Sequence, residues 1–144
     1  MNVKTFEEFL ESGIVKKQTP NTERALSLQE EAKEKETFLN VSLQAIPPEK
    51  MNANFIVDSC YDIILELVRA KMLLDGYNSG MSHEAEVSYL QRIGCSEADV
   101  RFMHEVRYYR NGTKYYGRIL NKTYSENVLK FMKRIRPLLE RTLL

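Results

Sequence analysis

Ile56-Val-Asp-Ser-Cys60-Tyr-Asp-Ile63-Ile64-Leu-Glu-Leu67-Val-Arg-Ala-Lys-Met-Leu-Leu74-Asp-Gly76 is the stretch that decides the fold class. Ile56, Cys60, Ile63, Ile64, Leu67 and Leu74 recur at i, i+4, i+7, i+8, i+11 and i+18, the spacing of one face of an α-helix. Gly76 supplies the residue that most easily takes the left-handed conformation just past a helix end. A helix of this length with so apolar a face must be covered on several sides, so the rest of the chain has to provide the cover.

Working outward, every long periodic segment has helical period. Towards the N-terminus, Thr5-Phe6-Glu7-Glu8 has the form of a capping box and opens a short helix ending near Gly13. Ile14 to Gln18 reads as a linker. Thr19-Pro20 is expected to cap a long helix running to about Ala45, where Pro47-Pro48 stops it. Ala25, Leu28, Ala32 and Leu39 give that helix a thin apolar stripe beside a Glu- and Lys-rich face. Towards the C-terminus, Ser82 is expected to cap a shorter helix through His83, Val87, Leu90 and Ile93, closed by Gly94. Ser96 opens a helix carrying Val100, Met103 and Val106 as far as Arg110. Thr123-Tyr124-Ser125-Glu126 forms a further capping box. The last helix places Val128, Phe131, Met132, Ile135, Leu138 and Leu139 on one face, with Pro137 as a possible kink. No period-2 alternation is long enough for a sheet. The expected fold is therefore all-α: an up-and-down bundle of four to five main helices (residues 19–144), preceded by a short N-terminal helix and linker (residues 1–18).

Bulk properties narrow the function classes. The chain has 144 residues, enough for one core, with 43% hydrophobic and 28% charged residues. No apolar run approaches the roughly 20 residues of a membrane span. Glu7, Glu8 and Glu11 near the start argue against a signal peptide. Cys60 and Cys95 stand far apart, with no C-x-x-C pair, which points to two buried thiols in a reducing cytoplasm. No metal or cofactor motif is present. The net charge of +1 conceals an asymmetry: residues 1–50 hold 7 basic and 9 acidic side chains, residues 51–100 hold 3 and 8, and residues 101–144 hold 11 and 3. Such a basic segment suits a polyanion, an acidic partner, or self-association with the acidic middle.

Within that segment, Arg107-Tyr-Tyr109-Arg110-Asn111-Gly112-Thr-Lys114-Tyr115-Tyr116-Gly117-Arg118 is distinctive. Arg110 follows Met103 by seven and Val106 by four, so it continues the inward stripe of its helix. A guanidinium in that position has to be paired, face a cleft, or snorkel out. Asn111-Gly112 reads as a turn or helix end. Tyrosines interleaved with Arg107, Arg110, Lys114 and Arg118 could combine base stacking with phosphate contacts.

From about Asp58 to Leu144 the chain resembles the HEPN family. The resemblance is carried by Ala70-Lys-Met-Leu-Leu-Asp-Gly76-Tyr77, by Ser82-His83-Glu84-Ala85, and above all by Arg110-Asn111 followed by Tyr115-Tyr116-Gly117. It implies a bundle of about four helices, often dimeric, with many members acting as metal-independent ribonucleases. Some are toxins paired with a nucleotidyltransferase-like antitoxin. The family signature is Arg, a polar residue, a short spacer and His, with two copies facing each other across a dimer cleft. Carried over, the motif Arg is Arg110 and the polar follower Asn111, while the His is due at Tyr115, Tyr116 or Gly117, none of which is His. The resemblance therefore implies a site of Arg110, Asn111 and Tyr115. Arg107, Tyr109, Lys114, Tyr116 and Arg118 are expected to contact RNA or a partner, with His83 approaching from another helix. A homodimer, RNA and a nucleotidyltransferase-like protein are the implied partners, and neither a membrane nor a metal is expected.

Overall fold

A computed structural model describes residues 3–143, apart from the side chain of Tyr115. The chain is an all-α bundle. Its helices are α1 (Phe6–Glu11), α2 (Thr22–Ala45), α3 (Ala53–Asp75), α4 (His83–Ser88), α5 (Leu90–Ile93), α6 (Glu97–Tyr116) and α7 (Lys122–Thr142). A 3-10 turn covers Pro48–Lys50. The two residues β1 (Lys16–Lys17) pair antiparallel with β2 (Tyr77–Asn78), Lys16 opposite Asn78. The bridge lies in the segment read as a linker, and two residues are too few to leave a periodic trace.

α3 is the central element, packed against α2, α7, α6 and α4. Its buried set includes Ile56, Cys60, Ile63, Ile64 and Leu67, and extends to Tyr61, Leu65 and Val68 on other faces. Leu74 is half-buried over a small satellite cluster of Ala25, Ala70 and Leu73. Because Ile64 is fully enclosed, cutting it to Ala would cost about 2–5 kcal/mol through lost burial and the cavity left behind. α3 ends where Gly76 turns left-handed at φ 84; a Cβ there would meet the Gln18 carbonyl oxygen at 2.8 Å, so glycine is required both by dihedral and by space. Phe6, Phe9 and Val15 join the main core, so α1 and the chain after it pack onto the bundle.

Several boundaries depart from the sequence expectations. α2 starts at Thr22, capped by Asn21, whose side-chain oxygen accepts the Arg24 N–H at 3.0 Å; Thr19 and Pro20 lie outside it. α7 is capped by Asn121, which accepts from Tyr124 N–H at 2.7 Å, so Thr123 is already helical. In both cases an Asn, a strong N-cap, stands two residues from the Thr expected to cap: Asn21 after Thr19, and Asn121 before Thr123. The Ser82-capped helix is interrupted at Tyr89, giving α4 and α5. α6 runs through Asn111-Gly112 and stops at the left-handed Gly117; the N–H groups of Gly117 and Arg118 both turn back to the Gly112 carbonyl. Cys60 and Cys95 are buried free thiols, and burial pushes their pKa values up to about 12 and about 11. Among the described residues no helix is long and apolar enough to cross a membrane.

Candidate nucleic-acid interface

α6 buries Val100, Met103, Val106 and Arg110 along one stripe, as the spacing requires. The Arg110 side chain is only 7% exposed. Its Nε donates to Asp58 Oδ1 at 3.0 Å, its Nη2 lies 3.5 Å from Asp62 Oδ1, and its guanidinium carbon sits 5.1 Å from the centre of the Tyr61 ring. Asp58 and Asp62 are one turn apart on α3, so both carboxylates face the same strip of α6. The two carboxylates of Asp58 and Asp62 balance the Arg110 charge locally. Within the single chain, Arg110 therefore ties α6 to α3 and does not present a bare positive charge.

Tyr61 connects this pair to His83, the first residue of α4. Burial pushes the Tyr61 hydroxyl pKa up, against the pull of Arg110 and Arg107, so the phenol keeps its proton. The Tyr61 hydroxyl and His83 Nδ1 are 3.1 Å apart. Burial lowers the His83 pKa below 6.5, with Arg69 and Arg110 pushing the same way and Glu86 opposing. A neutral His83 that accepts on Nδ1 carries its own proton on Nε2. It is then a hydrogen-bond donor on its outer edge, and its basic nitrogen is occupied.

The solvent-facing side of α6 is different. Tyr108, Asn111, Gly112, Tyr116 and Arg118 line a hollow of about 290 Å³. Tyr116 is 80% exposed and Tyr108 53%. Gly112 matters by what it lacks: an added Cβ would lie 3.0 Å from Arg118 Cδ, so the bare backbone lets the Arg118 stem lie across the helix. The loop behind is held by Asn54 of α3, whose amide donates to the Arg118 carbonyl at 2.9 Å while its oxygen accepts the Leu120 N–H at 2.9 Å. Lys114 and Arg118 offset the partial negative charge at the end of α6.

The chain matches no family model, no curated protein and no solved structure.

The expected site residues thus fall into two groups. Arg110 faces α3, and His83 joins it through Tyr61. Asn111, Tyr116 and Arg118 border the outer hollow, and Lys114 is exposed. Tyr109 is half-buried, its ring edge-on to Tyr124 at 5.2 Å and to Tyr108 at 5.5 Å, which makes it a packing residue. Arg107 is half-buried, with Nε enclosed and without a hydrogen-bond partner among the described residues. The side chain of Tyr115 lies outside the described residues. Part of the basic charge of the C-terminal third is spent inside the chain: besides Arg110, Arg134 pairs with Asp99 and Arg136 with Glu36 and Glu140.

Sequence reasoning did not single out Asp58, Asp62, Tyr61, Asn54 or Glu86. Glu86 had a legible signal: it precedes the apolar Leu90 and Ile93 by four and seven, the same logic that turned Arg110 inward. Its carboxylate is fully enclosed and accepts from Arg69 Nε at 2.7 Å, Arg69 Nη2 at 2.9 Å and Ser79 Oγ at 2.8 Å. No comparable pattern marks Asn54, whose role depends on a loop more than sixty residues away. Among the described residues no His, Cys, Asp and Glu cluster is arranged to hold a metal ion.

Proposed function

We propose that this chain is an RNA-directed protein of the HEPN kind that binds single-stranded RNA at the hollow beside Asn111, without cleaving it unaided. The reading rests on one observation: Tyr108, Tyr116, Asn111 and Arg118 border the same open hollow. Exposed aromatic rings give stacking surfaces for unpaired bases, an amide can read a base edge, and a guanidinium can hold the adjoining phosphate. The proposal favours binding over turnover because metal-free RNA cleavage needs a group that takes up a proton near neutral pH. The Tyr61 hydroxyl, 3.1 Å from Nδ1, engages one of the two ring nitrogens of His83, and neither Tyr116 nor Gly117 replaces the missing His.

Fluorescence anisotropy of a labelled single-stranded RNA, titrated in chelator at several salt concentrations, tests this directly. Binding should weaken steeply with salt, and both Arg118→Glu and Tyr116→Ala should reduce it, since a stacking residue contributes about 1–3 kcal/mol. Affinity unchanged in both Arg118→Glu and Tyr116→Ala would reject the hollow as the site.

A second reading draws on Ile119, which is 90% exposed in the loop next to Arg118. An apolar tip flanked by cations also suits a protein partner, so the chain would serve as a non-catalytic module pairing with a nucleotidyltransferase-like antitoxin or with itself. Loss of partner capture in Ile119→Asp, with RNA affinity intact, would favour it.

A further inference from the structure

On another part of the bundle, the last turns of α3, the start of α2 and the turn between β2 and α4 enclose a cavity of about 560 Å³. This volume lies within the range of small-molecule sites, roughly 300–1,000 Å³. Its lining includes Arg24, Arg69 and His83 and contains no Asp or Glu. Tyr77, Met72 and Leu73 supply an apolar wall, and the side chains of Gln18 and Asn78 add amide groups.

The chemistry of Arg69 gives the cavity its direction. A guanidinium has two forked edges, each able to grip an oxyanion with two N–H groups. Glu86, fully buried behind Arg69, takes the edge formed by Nε and Nη2. It thereby fixes the plane of the group and leaves the outer edge of Nη1 and Nη2 for a second anion. The Arg69 side chain is part-exposed at 28%. Arg24 is exposed and has no ion pair among the described residues, so its charge is unspent. His83 uses Nδ1 on Tyr61 and makes no other hydrogen bond among the described residues, so its Nε2 remains available. Even after subtracting the Glu86 charge, the two arginines leave the cavity net positive. At its rim Met81 takes a left-handed backbone conformation at φ 63 and is 91% exposed. A methionine in that conformation stores strain of the sort concentrated at ligand-binding turns.

We propose that this cavity binds a small phosphomonoester of mononucleotide size, its phosphate held between Arg69 and Arg24 and its body resting against Tyr77. The inference is independent of RNA binding at the hollow beside Asn111, because the two sites share no lining residue.

Isothermal titration calorimetry with adenosine monophosphate, adenosine and inorganic phosphate provides the test. The monophosphate should bind, inorganic phosphate should compete with it, and adenosine should give no heat. Arg24→Glu should weaken the monophosphate by about tenfold or more without lowering Tm, since the side chain has no partner to lose. Arg69→Lys keeps a cation on Glu86 but removes the second fork, and should weaken binding in the same way. Arg118→Glu, in the RNA hollow, should leave monophosphate binding as in wild type. No heat at millimolar monophosphate, an affinity untouched by both Arg24→Glu and Arg69→Lys, or binding lost in Arg118→Glu would each overturn the proposal.

Discussion

Arg110 on α6 donates its Nε hydrogen to Asp58 on α3 across 3.0 Å, joining residues 52 positions apart. The same guanidinium reaches Asp62 and stacks on Tyr61, so it contributes packing as well as charge. Removing a buried ion-pair partner costs about 3–5 kcal/mol when the abandoned charge stays dry. Asp58 and Asp62 are 42% and 39% exposed, so water can take over much of the lost contact. Arg110→Ala is therefore expected to lower stability by about 2 kcal/mol in urea unfolding, mainly through lost packing. Arg110→Met, which restores most of the stem, should recover more than half of that. A stability equal to wild type in Arg110→Ala would mean that the residue does not brace α3 against α6. Any loss of RNA binding in Arg110→Ala has to be compared with Arg110→Met before it is ascribed to contact.

His104 is 2% exposed, and its Nε2 is buried with no hydrogen-bond partner among the described residues. A buried polar atom left unpaired costs about 1–3 kcal/mol, while an apolar group of similar shape removes the penalty. His104→Leu should be neutral or stabilising by about 1 kcal/mol. Thermal unfolding checks this, and a drop in Tm would indicate a bonded role for the imidazole.

The pH dependence of stability has a defined direction. Burial lowers the pKa of both His83 and His104 in the folded chain, whereas in the unfolded chain each titrates near about 6.5. As pH falls below about 6.5, the unfolded chain takes up protons that the folded chain refuses. The stabilisation from the two neutral imidazoles is thus complete above that pH and is lost below it. Glu36 and Glu66, raised by burial, act in the opposite sense at lower pH. Urea midpoints between about pH 7 and about pH 5 should fall, and His104→Leu should make the slope shallower. Parallel curves for the two proteins would remove His104 from the account.

Asn54 holds the loop between α6 and α7 through two hydrogen bonds of 2.9 Å. Asn54→Ala should cost about 1–2 kcal/mol, since each neutral hydrogen bond contributes about 1 kcal/mol. It should also weaken RNA binding, although Asn54 does not line the Tyr116 hollow, because Arg118 loses its fixed backbone. Asn54→Asp keeps the acceptor for Leu120 and loses the donor to Arg118, so it should fall between the two. RNA affinity unaffected by Asn54→Ala would show that the loop keeps its shape unaided.

The helices themselves were legible because their cause is local. Ile56 to Leu67 has to bury one face whatever surrounds it, and Thr5, Ser82 and Ser96 satisfy free N–H groups within a few residues of themselves. The inward position of Arg110 was legible for the same reason, since it follows Met103 and Val106 on one stripe. Cap positions were misread where two cap-forming residues stood close together, as at Thr19 and Asn21 or Asn121 and Thr123, because only the path of the incoming chain selects between them. The end of α6 was misread at Asn111-Gly112: Arg118 folding back over Gly112 makes glycine acceptable inside the helix.

The sequence alone determined that this protein is a helical bundle with a central apolar helix and a guanidinium turned inward near its C-terminal third, because spacing along one helix sets which side chains share a face. Only the tertiary structure decided what that guanidinium meets: Asp58, Asp62 and Tyr61, across a gap set by the packing of α6 on α3. An inward cation signals the need for a counter-charge but carries no information about which of many acids the fold brings within 4 Å, so the division between a braced Arg110 and an open Tyr116 hollow became visible only once the helices were in contact.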